Sequence, residues 1–298
     1  MESGENNSGL DDVHLWPMRY DLHSHSKASD GHYTPAELVA LAKKKGVEVL
    51  ALTDHDTSAG VAEAVATGKS IGMHVVAGIE LSCLWHRNQI HIVGLSIDPA
   101  SPELRDLEKS QAEKRDIRAR EIGLRLEKHG FKDAYEKTKA MAAPGASITR
   151  GNYSRYLVSV GAGATEESCF SRYLGEGKPA YVEPNWPDMD TIVKTILAAG
   201  GIPVLAHPCR YGLKNKWILR LVKDFRSFGG EAIEVSGAVQ GSSSEKFILT
   251  EIANKHELLC SCGSDFHHEK PSLDLGTDLS SPEAGKPVWK SPKFRLEC

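Results

Sequence analysis

At 298 residues, with a net charge of −4 and 26% charged side chains, the chain is long enough to bury a full α/β core without disulfide support. This balance excludes the globally basic surface that long nucleic acids select, and no apolar run approaches the roughly 18 residues needed to span a bilayer. The six cysteines, Cys83, Cys169, Cys209, Cys260, Cys262 and Cys298, lack a disulfide-framework spacing and read as reduced thiols of a cytoplasmic protein.

The N-terminus is polar, glycine-rich and acidic, so residues 1–18 read as a flexible extension and not as a signal or transit peptide. Tyr20 to Asp30 comes next. As a strand, its period of two turns Tyr20 and Leu22 to one face and Asp21, His23 and His25 to the other. Two imidazoles converging on one point suit a divalent metal better than an apolar core, where each buried ring needs its own partner. Thr34-Pro35-Ala36-Glu37 combines a hydroxyl cap, a proline in the first helical position and a capping-box glutamate, so a helix starts there and ends at Gly46. The apolar stretch Val47 to Thr53 reads as a parallel strand buried on both faces, delivering Asp54-His55-Asp56 at its C-terminal end. A short helix near Val61 to Ser70 leads to a strand ending on Glu80, and the next strand carries His91.

The rhythm breaks at Pro102, where one long charged helix runs to about His129 and further helical and loop segments continue to about Lys178. Residues 101–178 hold 15 Lys and Arg against 12 Asp and Glu, a net of +3, so this insertion is basic while the remainder is acidic. Alternation resumes with a helix whose Met189, Ile192, Val193, Ile196 and Leu197 form an apolar stripe. A strand then ends at His207-Pro208, where the proline stops it. The helix carrying Trp217, Ile218, Leu221, Val222 and Phe225 leads to a strand from Glu231 to Ser236. A last helix, Glu245 to His256, leads to a strand closing on Asp265-Phe266-His267-His268.

Seven strands alternating with helices predict an α/β fold with a parallel sheet. Chemistry gathered at the strand C-termini predicts a barrel mouth and not an open-sheet crevice. No dinucleotide or P-loop glycine motif supports the doubly wound alternative. The expected organisation is an extension over 1–18, a barrel from 19–100 and 179–298, and a helical insertion over 101–178. The polar segment after Pro271 is expected to wrap the barrel's exterior.

His23, His25, Asp30, His55, Glu80, His91, His207, Asp265 and His267 are nine nitrogen and carboxylate donors, too many for one tetrahedral ion. Mixed sets of this kind suit two or three divalent ions of zinc, manganese or iron sharing a carboxylate. Adjacent ions hold a bridging hydroxide at neutral pH and clamp both oxygens of a phosphoester, so phosphate-ester hydrolysis is the expected reaction. Asp21 and Asp56 are expected to orient imidazoles from behind. Glu234 ends a strand and could reach the site or serve the fold. His268 reads as a solvated neighbour of His267, and His14, His32, His74, His86, His129 and His256 have no patterned partner.

Six ordered motifs carry a resemblance. Asp21-Leu22-His23-Ser24-His25, Thr53-Asp54-His55-Asp56, Ile79-Glu80, Ile90-His91-Ile92-Val93-Gly94, Ala206-His207-Pro208 and Gly263-Ser264-Asp265-Phe266-His267 resemble those of the PHP (polymerase and histidinol phosphatase) family. The resemblance implies a distorted (β/α)7 barrel with a trinuclear metal site. One ion would take His23, His25, Glu80 and Asp265, a second Glu80, His91 and His207, and a third Asp30, His55 and His267, with Glu80 as the bridge. Glu80, His207 and Asp265 would be catalytic, His207 as a candidate proton donor to the leaving oxygen.

Within the insertion, Ile148 to Arg155 and Arg172 to Tyr181 resemble the TrpH-like branch, which includes nucleoside 3′,5′-bisphosphate phosphatases and a 5′-to-3′ exoribonuclease of short RNAs. That implies a small phosphorylated nucleotide or RNA end as substrate, gripped by basic residues of the insertion acting as a lid. Arg118, Arg150, Arg172 and Lys178 are the phosphate candidates, and Tyr153 and Tyr181 the candidates for stacking on a base. Asn152 departs from the branch, where a histidine is expected. The rival readings are a phosphatase of another small metabolite such as histidinol phosphate and a non-catalytic, metal-stabilised binding domain.

Overall fold

The computed structural model describes residues 18–236, 243–270, 274–276 and 285–297. Seven strands form one sheet in chain order: β1 (Tyr20–Asp21), β2 (Val49–Leu52), β3 (His74–Trp85), β4 (Asn88–Leu95), β5 (Ile202–Leu205), β6 (Ala232–Ser236) and β7 (Leu259–Cys262). The sheet curls into a nearly closed barrel, because Leu22 N–H donates to Cys262 O at 3.0 Å and His25 N–H to Phe266 O at 2.9 Å.

The alternation predicts a parallel sheet, and the sheet departs from this at one strand. β4 runs antiparallel to both β3 and β5, while the remaining neighbours are parallel. Only His86 and Arg87 separate β3 from β4, and His86 takes a φ of 53° there. A two-residue connection can only return the chain alongside itself, since a parallel crossover needs a dozen residues or more. The mouth therefore receives His91 from the N-terminal half of β4.

Outside the strands lie α1 (Pro35–Lys44), α2 (Val61–Ile71), α7 (Met189–Ala198), α8 (Asn215–Ser227) and α9 (Ser243–Lys255). The capping box of α1 forms, with Glu37 N–H donating to Thr34 Oγ1 at 3.2 Å and Thr34 N–H to Glu37 Oε2 at 2.8 Å. In α7, Met189, Ile192, Val193 and Ile196 are buried against Ile79, Ile92 and Leu205. Val76, Val93, Val204 and Ala232 form a separate cluster on the strand face that also carries Glu80. Val288 joins this cluster, Trp289 stacks on Tyr20 at 4.0 Å, and Glu297 exchanges backbone bonds with Val75. The described part of the tail thus lies across the end opposite the mouth, where β1 and β3 begin.

The insertion comprises α3 (Pro102–Glu127), α4 (Ala134–Met141), α5 (Arg150–Ser159) and α6 (Glu166–Cys169), the last continuing into a π-helical turn over Phe170–Leu174. Its helices share an apolar cluster of their own that includes Ala119, Ile122, Leu126, Tyr135, Tyr156 and Leu157. Tyr153 is fully buried in it and donates to Ala119 O at 2.5 Å, so it has no face for a base.

Two polar anchors fix this bundle to the barrel. On α3, Arg115 Nε–H donates to Asp56 Oδ2 at 2.6 Å, and Gln111 Nε2 donates to Asp56 Oδ1 at 3.0 Å and to Ser82 O at 2.8 Å. On α5, Arg155 donates to Asp30 O at 2.6 Å, Asn152 to Ser29 O at 3.2 Å, and the Thr149 hydroxyl to Asp30 Oδ2. Asp56 therefore orients no imidazole; its carboxylate is taken up by α3. The insertion sits over the ends of β1, β2 and β3 and leaves those of β4 and β5 uncovered by these anchors.

Candidate metal centre and active site

The structure brings all nine predicted donors to one mouth. Glu80 is at the centre: Oε1 lies 2.9 Å from His91 Nδ1, 3.0 Å from His207 Nε2 and 3.3 Å from His23 Nε2. Its Oε2 lies 2.8 Å from His55 Nδ1 and 3.3 Å from His25 Nε2. Asp265 Oδ1 is 3.0 Å from His25 Nε2 and 3.4 Å from His23 Nε2, and Asp30 Oδ1 is 3.3 Å from His267 Nε2.

Local backbone makes this convergence possible. β1 stops at Asp21, yet the chain stays extended because Ser24 pairs with Phe266 and Thr53 N–H donates to Ser24 O at 2.9 Å. His23 and His25 consequently still point together, their Nε2 atoms 3.1 Å apart. A Cβ on Gly263 would meet His23 Cβ at 2.2 Å, so only glycine lets the loop after β7 approach closely enough to present Asp265. His207 and Asp265 have positive φ angles of 28° and 54°, uncommon for residues with side chains and held by the surrounding loops.

Carboxylates behind the donors secure them. Glu234 lies 2.6 Å from His23 Nδ1 through Oε1 and accepts from His207 N–H at 2.7 Å through Oε2. Asp54 accepts from Ser26 N–H at 2.8 Å and Ser29 Oγ at 2.6 Å, which fastens the loop carrying His25 and Asp30. Asp21 orients backbone and not an imidazole, accepting from Ser264 N–H and Gly276 N–H at 2.9 Å each. Arg210, which the sequence reading did not pick out, donates to Asp265 Oδ2. Its place on the short 3₁₀ turn Pro208–Tyr211 after β5 brings it across to the end of β7.

The electrostatics are those of a cation site. Burial would raise the pKa of Glu80, but His55, His91 and His23 hold it well below the carboxylate range. Burial and the neighbouring His267 and His55 drive His25 well below the usual imidazole value, and burial takes His91 to about 4 despite Glu80. His23 goes the other way: burial opposes its charge, yet Glu234 and Glu80 prevail and raise it to about 10. Buried atoms without a hydrogen-bond partner include His25 Nδ1, His207 Nδ1 and Glu80 Oε2. Imidazole lone pairs crowded on one carboxylate, with buried acceptors unmatched, fit divalent ions, which take both donor types at once. Three overlapping sets could hold an ion: His23, His25, Glu80 and Asp265; His25, Asp30, His55 and His267; and His55, Glu80 and His91.

All of these donors but His23 and His25 line a cavity of about 880 Å³ that is also lined by Arg115, Arg118, Arg150, Tyr181 and Arg210. Arg118 donates through Nε and Nη2 to Val182 O at 3.0 and 2.9 Å, and burial together with Arg150 lowers its pKa to about 9. Arg150 lies 4.9 Å over the Phe170 ring, and its pKa is lowered by burial. Among the described residues neither forms an ion pair. Arg172 and Lys178 are exposed and lie outside the cavity lining, Arg172 over Tyr173 at 5.1 Å.

The PHP domain family matches residues 21–149. A 5′-3′ exoribonuclease from Haemophilus influenzae is 43% identical over 272 residues, covering 91% of this chain and 98% of its own. The chain belongs to the PHP family. A 3′,5′-nucleoside bisphosphate phosphatase from Chromobacterium violaceum is 39% identical over 278 residues, covering 93% of this chain and 97% of its own. Among solved structures, an amidohydrolase from Chromobacterium violaceum with bound sulfate and no metal superposes with a TM-score of 0.86 at 38% identity, covering 91% of this chain and 94% of that one. The protein is accordingly an enzyme, a hydrolase of the metal-dependent phosphoesterase class, built on the nearly closed seven-stranded PHP barrel.

Proposed function

We propose that the protein hydrolyses the phosphate ester on the 3′-oxygen of a 5′-phosphorylated nucleotide, acting both on nucleoside 3′,5′-bisphosphates and, 5′ to 3′, on short RNA. The two activities are one reaction, because a nucleoside 3′,5′-bisphosphate is the first unit of a 5′-phosphorylated RNA with the rest of the strand removed. The relatives named above supply the two substrate classes. The observation that carries the reading is that one cavity joins seven of the nine donors to the guanidinium groups of buried Arg118 and half-buried Arg150, neither with an ion-pair partner among the described residues.

His23, His25, Glu80 and Asp265 would hold one ion, Glu80, His91 and His207 a second, and Asp30, His55 and His267 a third, drawn from manganese, zinc and iron. Such ions supply a nucleophile at neutral pH and charge for the phosphoryl oxygens. Glu80, His207 and Asp265 are the protein groups at the reacting phosphorus. Arg118 and Arg150 bind the 5′-phosphate and thereby set the 3′-phosphorus against the donors, a positioning task that guanidinium forks perform well. Residues 101–178 form the roof of this arrangement over the barrel of residues 19–100 and 179–298. We place the enzyme in the cytoplasm: no helix among the described residues is long and apolar enough to cross a membrane, and the described cysteines are free thiols.

The test is a side-by-side assay of a nucleoside 3′,5′-bisphosphate, a 5′-phosphorylated oligoribonucleotide and histidinol phosphate, before and after chelation. The expected result is the same nucleoside 5′-monophosphate from the first two, lost on chelation and restored by a divalent ion, with histidinol phosphate far slower. Equal low rates on all three overturn the nucleotide reading.

A further inference from the structure

The catalytic cavity continues beyond its donors. On the side that the insertion anchors leave uncovered, its lining follows Gln89, Asn88 and Arg87, and also Arg210 and Tyr211. Those same two stretches of chain lead into a second hollow of about 430 Å³, lined by Trp85, His86, Asn88, Leu213, Trp217 and Arg220. Asn88 lines both. The hollow exists because β3 and β4 overrun the barrel: Trp85 is five residues past Glu80 on β3, about 17 Å at strand rise. The tip of this hairpin leans on the first turns of α8.

The floor of the hollow is firm. Trp85 is buried, and its Nε1–H donates to Asp224 Oδ2 at 3.1 Å. Trp217 meets it edge-on at 6.3 Å and 73°, and the His86 ring lies 4.7 Å from it. Trp217 nevertheless leaves 46% of its surface exposed. Cations lie near this indole: Lys216 Nζ is 5.7 Å from its ring centroid, Arg220, paired with Asp224 at 3.0 Å, borders the hollow, and Arg87 lines the adjoining cavity. A held, half-exposed flat ring bordered by positive charge and continuous with a phosphoesterase cavity matches one chemistry, that of a stacked base with its backbone phosphate.

We infer that this hollow is the subsite for the second nucleotide of a short single-stranded RNA, with its base stacked on Trp217 and its 3′-phosphate facing Arg87 and Arg220. The inference rests on the nucleotide reading above. If the first nucleotide's 5′-phosphate lies with Arg118 and Arg150 under the insertion, the strand beyond the scissile phosphorus leaves over β4 and the 210–220 stretch, where the hollow lies. A nucleoside 3′,5′-bisphosphate has nothing to place there, so the subsite separates the two substrate classes.

The experiment compares kcat/KM of wild type, Trp217→Ala and Trp217→Phe on three substrates: a nucleoside 3′,5′-bisphosphate, a 5′-phosphorylated RNA trinucleotide, and the same trinucleotide with its second residue abasic. Stacking predicts that wild type prefers the base-bearing trinucleotide over the abasic one by about tenfold. Trp217→Ala should lose that preference, lowering the ratio of trinucleotide to bisphosphate activity by the same factor, and Trp217→Phe should retain most of it. A ratio that Trp217→Ala leaves unmoved, or a wild type indifferent to the second base, overturns the subsite while both substrates are still turned over. Failure of the wild type on the bisphosphate and on RNA alike sinks the nucleotide reading instead, and the subsite with it.

Discussion

The barrel mouth and the roof above it bring different chemistry to their shared cavity and reach it by different means. The mouth collects six imidazoles and three carboxylates from within β3 and β4 and from the loops after β1, β2, β5 and β7, whose positions follow from the hydrogen-bond ladder of the sheet. The roof brings guanidinium groups on helices, whose facing is set only by how the bundle docks. Docking here depends on a few contacts, chiefly Arg115 and Gln111 to Asp56 and Thr149 to Asp30. A site spread over strand ends is thus robust to everything but the fold, whereas one on an inserted bundle depends on particular anchors.

The largest expected effect lies in the mouth. Glu80→Gln keeps the shape but removes the carboxylate that lies within 3.3 Å of His23, His25, His55, His91 and His207 alike. Turnover should fall by about 10³-fold or more, with metal content reduced and circular dichroism unchanged. A folded Glu80→Gln protein with full activity and full metal content would break the contrast at its root. Next comes the anchor. Asp56→Ala leaves the buried Arg115 guanidinium uncompensated, and denaturant unfolding should show a loss of about 3–5 kcal/mol. Replacing both partners with apolar residues of similar size should recover much of that loss. Stability unchanged in Asp56→Ala would mean that the roof does not depend on this contact.

The smallest effect sharpens the comparison within the roof. Arg150→Ala should raise KM for a 5′-phosphorylated substrate by about 10- to 100-fold, as expected for a lost charge-assisted bond of about 1.5–3 kcal/mol. The same measurement on Arg172→Ala and Lys178→Ala should show less than about twofold change, since both are exposed and outside the cavity lining. Equal effects at all three positions would show that the roof acts by net charge and not through placed side chains.

The legibility of the site follows the same division. Strand periodicity, the polar residues at strand ends and the His-x-His, Asp-His-Asp and Asp-x-His clusters name nine candidate donors, and the fold brings these together because residues of neighbouring strands have little choice of where to meet. Those rules failed where a contact crossed between elements. Asp56 pairs with a helix 59 residues away and not with an imidazole, Tyr153 is packed in the insertion's own core, and Arg210 reaches Asp265 only because a 3₁₀ turn carries it across the mouth. The antiparallel β4 was missed because a run of apolar residues reports burial but not direction.

By itself the amino-acid sequence determined the α/β alternation, the place of the insertion and the identity of the metal-binding candidates, since each is written in local spacing and residue chemistry. Only the tertiary structure decided which arginines face the cavity, how the insertion is tied down, and that a half-exposed tryptophan lines a hollow beside the tip of the β3–β4 hairpin. Those are relations between segments far apart in the chain. Their energies come from side chains meeting across elements, and no periodicity within one segment encodes them.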